Sequence, residues 1–76
     1  MPRLTPVDWK ILIRVFETKG FKYARTRGDH LIYSKPGILR PIVIPKYRGI
    51  PEFIILNNLK TAKITRKEYL ELLKKV

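Results

Sequence analysis

The sequence predicts an α+β fold in which a three-stranded antiparallel sheet carries helices on one face, in the order α-β-β-β-α. Three observations predict it. Apolar residues recur at helical spacing from Val7 to Phe16, change to a strand-like period from Phe21, and return to helical spacing after Pro51. Turn chemistry punctuates the middle of the chain, where Gly28-Asp29 and Lys35-Pro36-Gly37 bound segments of strand length. Finally, 76 residues hold only a thin core, and with no cysteine and one histidine neither a disulfide framework nor a classical zinc site can brace it.

Each element follows from local signals. Thr5-Pro6-Val7-Asp8 reads as a helix start, with Thr5 as cap, Pro6 at the first helical position and Asp8 as the acid of a capping box. Val7, Ile11, Leu12, Val15 and Phe16 make the apolar stripe, Trp9 and Phe16 are core candidates, and Lys19-Gly20 closes the helix. The first strand runs from Phe21 to Arg27 and turns at Gly28-Asp29 into a second, His30 to Ser34. A third, Arg40 to Ile44, stops at Pro45, and Pro41 inside it argues for an edge. After the basic loop Lys46 to Gly49, Pro51-Glu52 opens a helix carrying Phe53, Leu56, Leu59 and Ala62. Thr65-Arg66-Lys67-Glu68 is a capping box that predicts a short last helix over Tyr69 to Lys74.

This order is double-stranded-RNA-binding-domain-like, and no repeat or linker divides residues 1–76, which read as a single domain. The strands are apolar on both parities. Leu31 and Tyr33 oppose Ile32, and Ile42 and Ile44 oppose Val43, so the face away from the helices is expected to meet a partner protein or a second copy.

Seventeen Lys and Arg against six Asp and Glu give a formal charge of +11 spread along the whole chain. Such a field attracts a polyanion, which is nucleic acid, an anionic membrane surface or an acidic protein. A heat-adapted surface is the bland alternative, but such surfaces balance Lys with Glu. Met1-Pro2-Arg3-Leu4 begins no apolar leader, and the longest apolar run, Phe53-Ile54-Ile55-Leu56, is far below the ~20 residues of a membrane span. A cytoplasmic protein without a membrane role is expected.

Histidine is the side chain whose ordinary pKa lies near neutrality, so His30 is the natural candidate for proton transfer, although a histidine after a Gly-Asp turn is also commonly structural or simply exposed. Arg25, Arg27 and Lys35 flank it in sequence and read equally as phosphate contacts or as a solvated strand face. Lys46, Tyr47 and Arg48 form the best second contact for RNA, with Tyr47 placed to stack on a base, while Tyr23 and Tyr33 more simply finish a core edge. Asp29 either orients the imidazole or serves the turn.

The chain also resembles the HicA, or YcfA-like, family of toxins. The likeness is carried by Lys19-Gly20-Phe21, by Arg25-Thr26-Arg27-Gly28-Asp29-His30-Leu31-Ile32-Tyr33 as a glycine, small polar residue, histidine signature, and by Val43-Ile44-Pro45. Leu59-Lys60-Thr61-Ala62 and Ile64 to Leu73 extend it over nearly the entire chain. Asp29 stands where the family often has serine, and the loop Lys46 to Pro51 departs from the family's pattern. The resemblance implies a metal-independent mRNA endoribonuclease without a cofactor, with His30 catalytic, neutralised by a HicB-type antitoxin protein. The alternative on the same scaffold is a non-catalytic RNA-binding or protein-interaction module.

Overall fold

The computed structural model describes residues 4–76; Met1, Pro2 and Arg3, on which the reading of the N-terminus rests, lie outside the described residues. The elements are α1 (Trp9–Thr18), β1 (Lys22–Arg27), β2 (His30–Ser34), β3 (Ile42–Pro45), α2 (Glu52–Ala62) and α3 (Arg66–Leu73). The strands form one antiparallel sheet in the order β1-β2-β3, so the α+β expectation holds and β3 lies at an edge. Pro41 itself sits just before that strand, where its missing N–H interrupts no ladder.

The first helix begins later than the sequence signals suggest. Ile50 N donates to Val7 O at 2.7 Å, and this bridge holds the residues before Asp8 outside the helix. Asp8 is therefore the N-cap, its carboxylate accepting from Lys10 N at 2.9 Å. The stripe moves accordingly. Leu12, Val15 and Phe16 are buried with Trp9 and Ile13 packed beside them, while Ile11 is exposed. The C-terminus closes as a Schellman motif: Gly20 takes φ +94°, Phe21 N donates to Phe16 O and Gly20 N to Glu17 O. The accompanying apolar contact is Phe16 against Phe21, edge to face with centroids 5.5 Å apart.

Helix α2 also buries a different stripe from the expected one. Ile55, Asn58, Leu59 and Ala62 face inward at three- and four-residue spacing, whereas Phe53 and Leu56 are exposed. Four consecutive apolar residues, 53 to 56, give the period no direction, and the polar Asn58 on the inner stripe disguises it. Glu52 at the head of this helix accepts from Leu4 N at 2.7 Å and from the Arg66 guanidinium at 3.1 Å, joining the N-terminal segment to α3.

Helix α3 starts on the predicted capping box. Thr65 Oγ1 accepts from Glu68 N at 3.1 Å and Glu68 Oε1 accepts from Thr65 N at 3.2 Å. Glu68 also takes the Lys19 ammonium at 3.1 Å, which ties the end of α1 to the start of α3. These bonds, led by the Thr65 N–H and followed by Lys19, lower the Glu68 pKa. The core lies between the helices and one sheet face, with Phe16, Phe21, Ile42, Ile44, Ile55 and Tyr69 among its most enclosed side chains.

Candidate functional site

Directly opposed residues of an antiparallel pair share a face, so the register sorts every strand side chain. Leu31 lies between Thr26 and Ile44, and Tyr33 between Tyr23 and Ile42; these rows meet the helices. The other face carries the row of Lys22 and Ser34 and two more that reach toward the turn. One runs Arg27, His30, Pro45 and the other Arg25, Ile32, Val43. Ile32 is 6% exposed without joining the helix-side core, whereas Val43 remains open.

The two-residue turn sets Arg27 opposite His30 and Arg25 opposite Ile32, which puts both arginines on that face. Strict alternation would group Tyr23 with Arg25 and Arg27, but a bulge between Tyr23 and Arg25 changes parity midway along the strand. Tyr23 and Thr26 consequently share the helix side, where their hydroxyls lie 2.6 Å apart and the Tyr23 ring meets Tyr33 edge to face at 5.9 Å. Arg25 and Arg27 stay on the outer face, beside Ile32 and His30.

The turn before the histidine is equally specific. Gly28 at φ +60° followed by Asp29 at an ordinary negative φ is the glycine-first pattern of a type II′ hairpin, whose twist matches that of the flanking strands. It sets the first residue of β2 at the sheet's end. The His30 side chain is 43% exposed, and its Nδ1 lies 3.0 Å from Asp29 Oδ1. The contact is one of proximity and charge, an ion pair whenever the imidazole carries its second proton. Asp29 completes the turn, and its carboxylate sits beside the ring.

The loop after β3 is pinned beside this turn. Lys46 N donates to Asp29 O at 2.9 Å, Tyr47 N to Pro45 O at 2.8 Å, and Trp9 N to Tyr47 O at 3.0 Å. Tyr47 and Arg48 project from it exposed. The Lys46 ammonium rests 5.8 Å from the centroid of the Trp9 ring, as does that of Lys10. Trp9 is thus only partly buried, and the sequence reading of it as plain core missed its place under the basic loop; the backbone bond from Trp9 to Tyr47 leaves no mark in the sequence. Lys35 is not part of this cluster. It lies beyond the far end of β2, its ammonium 5.7 Å from the Phe21 ring centroid and its stem against Gly20. Tyr33, on the helix side, has its phenol raised by burial first and by the nearby Glu17 carboxylate second, to which it donates at 3.4 Å.

Fold and site together define a small α+β protein that presents one solvent-reachable imidazole at the end of a cationic sheet face. The family model described as HicA toxin of bacterial toxin-antitoxin matches residues 9–64, from the first residue of α1 through the end of α2 and including His30 and the basic loop. The chain belongs to the HicA toxin family, and is thereby the toxin side of a pair whose other member is an antitoxin. No curated protein and no solved structure gives a significant match. Among the described residues no helix is long and apolar enough to cross a membrane.

Proposed function

We propose that this protein is an mRNA endoribonuclease that works without a metal, with His30 as its general acid/base. The observation that carries the reading is the exposed His30 ring, 3.0 Å from the Asp29 carboxylate and in a row with Arg27. In the reaction the ribose 2′-oxygen attacks the adjacent phosphorus as Nε2 of His30 removes its proton. The bond from phosphorus to the 5′-oxygen breaks, and that oxygen takes the proton now held by the His30 imidazolium, directly or through water, giving a 2′,3′-cyclic phosphate, a 5′-hydroxyl and the neutral imidazole. Arg25 and Arg27 lie where cations offset the charge gathering on the phosphoryl oxygens. Lys46, Tyr47 and Arg48 extend the contact to neighbouring nucleotides, the two cations on phosphates and Tyr47 against a base. Lys35 contributes as a more distant phosphate contact.

The antitoxin partner is of HicB type and acidic, and covers His30 with the exposed outer sheet around Val43. A negative protein surface is the chemical complement of a chain with net charge +11.

The test pairs cleavage with affinity. His30→Ala should lose about 10²–10⁴-fold in RNA cleavage while binding the same RNA as the wild type, and chelator should leave wild-type cleavage intact. Should the wild type bind RNA yet cut none in chelator, or should His30→Ala still cut, a non-catalytic binding module replaces the nuclease.

A further inference from the structure

Away from the histidine, the C-terminal half of α2 and the loop joining β2 to β3 enclose a groove of about 420 Å³, lined by Leu39, Arg40, Asn57, Lys60, Thr61 and Lys63. Its rim is unusually apolar for a surface. Leu39 is 97% exposed, and Phe53, 66% exposed, with Leu56 carries apolar surface along the same helix. Residues 53, 56, 57 and 60 fall at three- and four-residue spacing, hence on one helix face, away from the stripe of Ile55, Leu59 and Ala62 that enters the core. The loop was not short of an inward path, since Ile38 packs against the core immediately before Leu39 turns out. Among the described residues three cations and no acid line the groove. The acid of α2, Glu52, already accepts from Leu4 and Arg66.

We propose that this face docks an acidic amphipathic segment of a partner protein, with its apolar side on Leu39, Leu56 and Phe53 and its carboxylates on Arg40, Lys60 and Lys63. Charge and shape together select the occupant. A second copy of a chain with net charge +11 brings cation to cation. RNA satisfies the cations but leaves aliphatic Leu39 and Leu56 against sugar and phosphate. A lipid surface is flat and does not reach Asn57 and Thr61 within a groove. An amphipathic acidic helix satisfies both the apolar and the charged halves, which is the recurring helix-in-groove mode of recognition.

The groove is distant from the imidazole along the sheet. Arg40 precedes β3, whose last residue, Pro45, is the one paired with His30. A segment docked here leaves the histidine open, so this contact and occupation of the His30 face coexist on one molecule. The proposal does not depend on whether His30 cleaves RNA.

The test uses the full chain and a fluorescent peptide with leucines at helical three- and four-residue spacing and glutamates elsewhere, against a scrambled peptide of identical composition. The patterned peptide should bind at least about tenfold tighter by anisotropy and shift the backbone amide signals of residues 39–40 and 53–63. Leu39→Ser and Lys60→Glu should each weaken it about tenfold, whereas Lys74→Glu, the same charge change on the far helix, should not. Amide spectra of the variants establish that each is folded, and Leu39→Ala supplies a milder change at the same position. Equal affinity for the two peptides, no binding, or shifts confined to the His30 face overturns the proposal. So does a groove that responds to an oligoribonucleotide or to phosphatidylserine vesicles and not to the patterned peptide.

Discussion

Replacing Tyr69 by Phe should make this protein more stable, and the gain should grow in alkali. Tyr69 is fully enclosed in α3, and its hydroxyl has no hydrogen-bond partner among the described residues. An unpaired buried hydroxyl costs about 1–3 kcal/mol in desolvation. Removing the oxygen recovers that and gives up only the dispersion contacts of one atom, about 0.1–0.2 kcal/mol each. The net is about 1 kcal/mol in favour of Phe. In a domain of this size that raises Tm by about 4–8 °C. The pH arm follows from burial, which pushes the phenol up to about 12 from 10.0. The folded state holds this proton more tightly than the unfolded state does. The resulting stabilisation is complete below the unfolded pKa of 10.0 and is lost as pH rises through about 12. Across that window the wild type weakens relative to the Phe variant by about 1.4 kcal/mol per pH unit at most. Urea unfolding followed by circular dichroism, at neutral pH and again at about pH 11, measures both effects. A Phe variant less stable than the wild type at neutral pH would show that the hydroxyl has a partner, and a difference that stays constant into alkali would refute the burial argument.

Three further substitutions probe the fold and the site. Thr65→Ala removes the side-chain half of the α3 capping box, the acceptor for Glu68 N, and should lower stability by about 1 kcal/mol, read as a fall in Tm; an unchanged Tm would mean the Thr65 cap adds nothing. Arg25→Ala and Arg27→Ala should each weaken RNA binding across sequences and reduce the salt dependence of log K by about one unit, so a wild-type slope in either removes that residue from the interface.

The order of elements was legible because its signals are local. The Lys19-Gly20 helix end, the Gly28-Asp29 turn, the β2 boundaries at His30 and Ser34, and the Thr65–Glu68 box all depend on residues a few positions apart, and all stand in the structure. What long-range contacts decide was not legible. The start of α1 was displaced by Ile50 bonding to Val7, and the inner face of α2 was set by the core it meets, with Asn58 carried inside and its Nδ2 left unpaired among the described residues. For the candidate site, His30 and the loop Lys46 to Arg48 could be named from residue type and charge. The company they keep was only half legible, because the Gly28-Asp29 turn puts Arg25 and Arg27 on the face of His30, whereas the extra residue that turns Tyr23 to the other side leaves no mark in an alternating pattern.

The position of β1 carries a consequence for handling the protein. Every one of its six side chains is exposed, and its outer margin has no neighbouring strand. Such a margin invites another chain to add itself, and lysine, arginine and a kink in the ladder are the usual deterrents. Here Lys22, Arg25, Arg27 and the irregularity after Tyr23 occupy that place. Positive groups on this margin, among them the arginines proposed to meet RNA, therefore also oppose the stacking of copies into fibrils, and variants that neutralise them are expected to precipitate more readily in concentrated solution.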